Sequence, residues 1–411
     1  MRRILLLMAL ISCLPCLIFA DEPPVSWEKL PITFSDNMVL QRDMPLLFQG
    51  KASAGERVTI RIHRKKVSTV ADKEGRWQLE LPTMAAGGPY KLQLTIGRKK
   101  WHFSNVMVGE VWLCSGQSNM AFPLAQAVAK PGDNRHHPQL RFFDMKPRWE
   151  TTATAWDHAA LESIQQYDYF SHSGWSLCNP ETAERFSAIA YHFGKQLADS
   201  LGVTVGLIHH AVGGSPCEAW IDRQTLTERF PQILSDWSSN ELIQDWARER
   251  ALLNIRNSSL LDQHHPYEPT YLFDAAMEPL ASYPIKGVIW YQGESNAHDL
   301  ETYSHLFPIM IDSWRRYWNR DTLPFCFVQL SSINRPTWPA FRDLQRRQVA
   351  EIPHTYLTVS SDKGDSLDVH PRQKREIGER LAYSALHHIY DRKEIVPSGP
   401  LYESVTFSGD T

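Results

Sequence analysis

The sequence is short of cysteine, of long apolar runs and of net charge, and each shortage argues against a class of function. Of the six cysteines in 411 residues, Cys13 and Cys16 lie in the leader-like first twenty, and the other four, at 114, 178, 217 and 326, are too widely spaced for a Cys-x-x-Cys pair or a Cys/His ligand set, which argues against a zinc site. No metal or other cofactor is expected. Beyond the first twenty residues no apolar run is long enough to span a bilayer. A net charge of −3 supplies no basic surface for a phosphate backbone, so nucleic acid is not an expected partner. Apolar residues, at 43%, suffice for a sizeable core, and 411 residues suit two domains or one large domain with an appendage. The 14 tryptophans read first as core packing and second as flat platforms for sugar rings.

The first twenty residues read as a leader. Arg2-Arg3 precede the apolar run from Ile4 to Ile11, and Leu17-Ile18-Phe19-Ala20 stand before acidic Asp21-Glu22. That pattern predicts a signal peptide over 1–20 and an exported protein, periplasmic or extracellular. Leu10-Ile11-Ser12-Cys13 offers the alternative of a lipobox, with a lipid on Cys13 holding the protein at a membrane. Cys114 and Cys326 lie in apolar strand-like runs and read as small core residues, and a Cys178–Cys217 bridge stays open.

From about residue 30 to 108 the chain alternates with period two, as in Arg57-Val58-Thr59-Ile60-Arg61-Ile62 and Trp77-Gln78-Leu79-Glu80-Leu81, between turn formers such as Gly75 and Gly87-Gly88-Pro89. This predicts an N-terminal all-β, sandwich-like domain over 21–108. After 108, apolar runs at 111–114, 203–209, 285–291, 324–330 and 356–359 alternate with helical spacing such as Phe186, Ile189, Ala190, Phe193 and Leu197. Strand–helix alternation predicts an α/β domain over 109–392, its largely parallel sheet covered on both faces. Ligands of such sheets sit beyond the carboxyl ends of the strands. Polar, tryptophan-bearing stretches at 131–173 and 222–265 read as insertions over the pocket mouth, where selectivity would reside.

Three segments carry the chemistry of acyl transfer. In Gly116-Gln117-Ser118-Asn119-Met120 an apolar strand ends and a serine stands between two amides, as a nucleophile requires. Asp368-Val369-His370-Pro371 supplies His370 as the base. The acid that orients it is Glu294, in Trp290-Tyr291-Gln292-Gly293-Glu294-Ser295-Asn296, or Asp368. An oxyanion hole is expected from the N–H groups of Ser118 and Gly214 with a side-chain amide, Gln292 or Asn296. Asn119 either assists or caps the following helix.

These motifs, with Val212-Gly213-Gly214-Ser215-Pro216, Phe34-Ser35-Asp36-Asn37-Met38 and His265-Pro266-Tyr267-Glu268-Pro269, together resemble the sialate O-acetylesterase family of SGNH hydrolases. The resemblance implies a flavodoxin-like, three-layer α/β/α catalytic domain and hydrolysis of acetyl esters on sialic acids or other sugars. Acetylated xylan is the alternative substrate, and a glycan-binding protein whose site has decayed is the alternative class. The sequence departs from the SGNH pattern where Asp368 stands two rather than three residues before His370, which favours Glu294 as the acid. Asp274 stands where an asparagine is expected. Family members continue into further β structure, so 393–411 reads as the start of a truncated C-terminal β segment. Arg141, Arg148, Arg223 and Arg342 are candidates to meet a sialate carboxylate.

Overall fold

The computed structural model describes residues 30–129, 135–280, 283–400, 403–406 and 408–409; the expected leader, with Cys13, lies outside them. The protein is a mixed α/β structure around one large sheet of eleven strands. The period-two runs of the first hundred residues are strands: Leu46–Lys51, Arg57–Ile62, Lys65–Val70, Arg76–Leu81 and Gly87–Ile96. Val58, Ile60 and Ile62 point inward together with Leu46, Phe48, Trp77, Leu79 and Leu81, while the intervening polar side chains face out.

The boundary expected at 108 falls inside a single strand. Lys99–Gly116 runs for 18 residues. Its first half pairs antiparallel with Gly87–Ile96, and its second half pairs parallel with Val205–Ala211 and Gly287–Tyr291. The two halves of the protein therefore share a strand rather than meet at a linker. Buried Glu110 ties them further, accepting from Gln41 Nε2 at 3.0 Å and pairing with Arg42, while Gln41 Oε1 takes the N–H of Val111 at 2.8 Å.

The seven strands that carry the site lie in the order Trp175–Cys178, His137–Asp144, Val205–Ala211, Lys99–Gly116, Gly287–Tyr291, Phe325–Val328 and Thr355–Thr358. All but the first run parallel. Val205–Ala211, Gly287–Tyr291 and Phe325–Val328 are buried along their whole length, as strands covered on both faces must be. Trp290 stands level with Ser115, three positions on from Trp112, so the two indoles point to opposite faces. Trp112 meets Phe193 of the helix Ala188–Leu201 edge-on at 4.9 Å, and Trp290 meets Trp314 of the helix Leu300–Tyr317 edge-on at 5.5 Å. A helix layer thus covers each face.

The parallel register sets Gly116 level with both Ala211 and Tyr291. The loops that follow these three strands, starting at 117, 212 and 292, consequently leave the sheet side by side. The central strand is also where the strand order reverses, the position at which open α/β sheets form a crevice. Only glycine fits at 116: its φ is +139°, and a Cβ would lie 2.1 Å from the carbonyl oxygen of Tyr291. The close approach lets Gln117 N–H bond that same oxygen at 2.9 Å and turns the chain sharply before Ser118.

Two expectations are corrected. Cys178 and Cys217 are free, buried thiols, as are Cys114 and Cys326. Cys178 Sγ lies 3.5 Å from the carbonyl of Arg135 and Cys217 Sγ lies 3.8 Å from Met310 Sδ, each in its own packing environment. The described residues of 393–409 hold no strand. No helix among the described residues is long and apolar enough to cross a membrane.

Candidate active site

Ser118 opens the short helix Ser118–Ala121, directly after the turn at Gly116. Its Oγ lies 2.8 Å from Nε2 of His370, whose loop follows the edge strand Thr355–Thr358. Both side chains are half-buried. A hydroxyl against an imidazole at this distance is the arrangement in which the ring can take the hydroxyl proton.

Gly213 and Gly214 lie beside Ser118; a Cβ on Gly213 would stand 3.8 Å from the Ser118 Cβ. The carbonyl of Gly213 is held by Tyr267 Oη at 2.6 Å and Thr151 Oγ1 at 3.1 Å. Because a trans peptide points its N–H opposite to its C=O, this anchoring turns the Gly214 N–H the other way. Gly214 has φ +74° and its own carbonyl accepts from Ser295 Oγ at 2.9 Å. Among the described residues neither the Gly214 nor the Ser118 N–H finds a hydrogen-bond acceptor. Tyr267 thus has a role that its segment His265-Pro266-Tyr267-Glu268-Pro269 does not announce.

The two side-chain amides expected in the oxyanion hole are not free to serve there. Gln292 Nε2 donates to Asn296 Oδ1 at 2.7 Å and to the Ser215 carbonyl at 3.3 Å. Asn296 Nδ2 donates to Glu218 Oε2 at 2.9 Å, and its Oδ1 takes the N–H of Cys217 at 2.9 Å. Both are buried beneath the 212–218 loop and fix its course. Burial raises the Glu218 carboxyl to about 7, against the Asn296 amide that favours its charged form.

The orienting acid is also corrected. Asp368 Oδ1 accepts the backbone N–H of His370 at 2.8 Å, an Asx turn that the two-residue separation favours, and does not hydrogen-bond the ring. Glu294 reaches the histidine loop only through Asn119. Asn119 Nδ2 donates to Glu294 Oε1 at 2.5 Å and to the Val369 carbonyl at 2.9 Å. No described residue hydrogen-bonds Nδ1 of His370, so the polar contact of the pair is a dyad, with carboxylates near it rather than on it.

Lys374, which the sequence reading passed over, completes this network. It is 1% exposed, its Nζ bonds Asn119 Oδ1, and the same ammonium lies 4.8 Å from the Phe122 ring centroid. These partners fix the orientation of the Asn119 amide: its oxygen faces a donor and its nitrogen faces two acceptors. Asn119 therefore neither caps a helix nor faces a substrate. Burial pulls the Lys374 ammonium down to about 7 despite the attraction of Glu294 and Asp368. Burial likewise pushes Glu294 above the usual carboxylate range, against its bond from Asn119 and the charge of Lys374.

Burial first, and the Lys374 charge second, lower the His370 pKa below 6.5, with Asp368 opposing them. A ring that accepts a proton must be neutral, and a lowered pKa keeps it neutral to lower pH. The acid limb of kcat/KM is thus expected below 6.5, with activity lost as pH falls through the His370 pKa. A pH–rate profile on a simple acetate ester checks this; a limb above 7 would contradict it.

The four arginines expected near a sugar carboxylate have other partners. Arg141 donates to the carbonyls of Pro138 and Leu140, and Arg342 to that of Ser331. Arg148 and Arg223 line a separate cleft of about 820 Å³ with Asp274, whose carboxyl burial raises to about 6. Among the described residues no cluster of His, Cys, Asp or Glu could hold a metal ion.

Comparison with known proteins gives this geometry a context. Residues 108–387 match the family model described as carbohydrate esterase, sialic acid-specific acetylesterase. The chain is similar to sialate O-acetylesterase of Mus musculus, 27% identical over 91% of this chain and 76% of that protein. The same protein of Homo sapiens is 27% identical over 95% of this chain and 77% of its own length. A crystal structure of a carbohydrate acetylesterase from Xanthomonas citri superposes with a TM-score of 0.73 at 33% identity, covering 92% of this chain and 79% of that one. The chain belongs to the sialic acid-specific acetylesterase family of carbohydrate esterases and is a carboxylic ester hydrolase.

Proposed function

We propose that the protein is an exported serine esterase that removes O-acetyl groups from sialic acids, with Ser118 as nucleophile and His370 as base. The observation that carries this reading is the 2.8 Å contact between Ser118 Oγ and His370 Nε2 at the reversal point of the sheet. As Oγ attacks the acetyl carbonyl carbon, Nε2 takes its proton. The N–H groups of Ser118 and Gly214 face the oxyanion, each donor being worth about 3 kcal/mol in the transition state. The imidazolium then gives its proton to the sugar oxygen as the ester C–O bond breaks, leaving an acetyl group on Ser118. Water, deprotonated by His370, attacks that acetyl, and acetate leaves as the proton returns to Oγ. Asp368 carries the negative charge that favours the imidazolium, and Glu294, through Asn119, holds the Val369 carbonyl beside it.

Sialic acid as the sugar is supported by the names of the mouse and human relatives. It is also supported by Arg335, an exposed arginine whose charge is felt at Glu294 and whose guanidinium lies 5.6 Å over the Trp338 ring and, among the described residues, hydrogen-bonds none. Export, to the periplasm or outside the cell, rests on the leader-like pattern of the first twenty residues. Acetate release from O-acetylated sialoglycans and from acetylated xylan, measured side by side, tests the substrate. A clear preference for the sialoglycan is expected; release from xylan alone would replace sialic acid by a plant glycan in this reading.

A further inference from the structure

Among the described tryptophans, Trp246 alone has more than a third of its surface exposed, at 37%. It lies in the helix Asp245–Ile255, which turns only Ala247, Ala251 and Asn254 fully inward. An indole left in water forgoes the burial that makes tryptophan useful in a core. The ring is nonetheless held in place. Its Nε1 bonds Gln244 Oε1, and its edge meets the Tyr267 ring at 6.0 Å and 78°. Tyr267 is the residue whose hydroxyl anchors the Gly213 carbonyl.

The indole also borders the reacting groups. Its Cη2 lies 2.6 Å from the place a Gly214 Cβ would occupy, and Gly213 is in turn beside the Ser118 side chain. Gly214 therefore lacks a side chain for two reasons, its φ of +74° and the ring packed over it. An exposed, immobilised aromatic set apart from the nucleophile by two glycines, Gly213 and Gly214, is suited to hold the alcohol half of an ester. A pyranose offers a face of C–H bonds that packs on an indole, whereas the acetyl group must reach Ser118.

We propose that Trp246 is the stacking platform for the sugar ring that bears the acetyl ester. This deepens the esterase reading of the same site and rests on it. Trp246 belongs to the 222–265 stretch, so selectivity for the sugar, rather than chemistry, is its contribution.

The test compares kcat/KM on an O-acetylated methyl glycoside of sialic acid with kcat/KM on ethyl acetate, whose alcohol is too small to cover the ring. The wild type, Trp246→Ala and Trp246→Phe are measured together. The expected result is that Trp246→Ala lowers the sugar-to-ethyl-acetate ratio about tenfold, through KM for the sugar, and that Trp246→Phe restores most of it. Equal loss on both esters in Trp246→Ala would mean that the indole only supports the Gly214 loop, and would overturn the proposal. An unchanged ratio in both variants would overturn it as well. Failure of the wild type on the sugar, with ethyl acetate still cleaved, would instead remove the substrate reading and the platform with it.

Discussion

Replacing Ser118 by alanine is expected to lower ester hydrolysis by at least about four orders of magnitude while leaving the fold intact. Among the described residues the half-buried Oγ bonds only His370, and the helix it opens is capped by backbone contacts to Gln117, so its loss strands no buried group. Stability should change by less than about 1 kcal/mol. Hydrolysis of a simple acetate ester and a urea melt measure the two quantities together. A fluorophosphonate probe should label the wild type at Ser118 and leave the alanine variant unlabelled. Residual hydrolysis above a few per cent of wild type would move the nucleophile elsewhere.

The second large effect is expected at Lys374. Methionine there keeps the apolar stem but removes the donor to Asn119 and the cation nearest Glu294. The Asn119 oxygen then lies buried without a partner, which costs about 1–3 kcal/mol. Asn119 is also the link to the Val369 carbonyl, one residue before His370, so its loosening displaces the base. A fall in kcat of about a hundredfold is expected from such misplacement. The pH profile separates this role from packing. Lys374 lowers the His370 pKa and Asp368 raises it, so without the cation the histidine pKa rises and the acid limb moves to higher pH. Lys374→Arg keeps the charge and should hold the limb near its wild-type position. A limb that stays in place, or moves down, in Lys374→Met would reduce Lys374 to a space-filling residue.

The parts of the site that were legible in the sequence are those announced by local pattern. Ser118 stands where an apolar strand meets a glycine that only one residue type can occupy, and His370 is fixed by a following proline. Which carboxylate touches the imidazole was not legible, because it depends on how a loop closes on itself; Asp368 closes on its neighbour's N–H instead. Nor can a sequence say which way an amide faces, and so Gln292 and Asn296 read as donors for a substrate when they bind the chain beneath it. Lys374 did leave a signal. A positive charge just before the helix Arg375–His388 opposes the helix dipole, so that helix gains nothing from it and another partner is implied. The boundary at 108 was misread for a related reason. Antiparallel and parallel strands share one extended backbone, and between Lys99 and Gly116 the chain bulges once, at Asn105, without turning back.

That long strand has a mechanical consequence. Its eighteen residues form a rod with one bulge, at Asn105, where φ is +54° and the register shifts, and the rod is pinned beyond that bulge by Gln41, Arg42 and Glu110. A hinge needs a few residues free to change φ and ψ, and the bulge is not free: Asn105 Nδ2 donates to Asn37 Oδ1 at 2.8 Å, Ser104 N–H to Asp36 Oδ1 at 2.6 Å and Asn37 N–H to the Ser104 carbonyl at 3.0 Å. The N-terminal strands therefore cannot swing away from the catalytic half to admit a bulky glycan. Access must be governed at the rim, by the segments that carry Thr151, Trp246 and Tyr267, with the nucleophile standing at the fixed end of the rod.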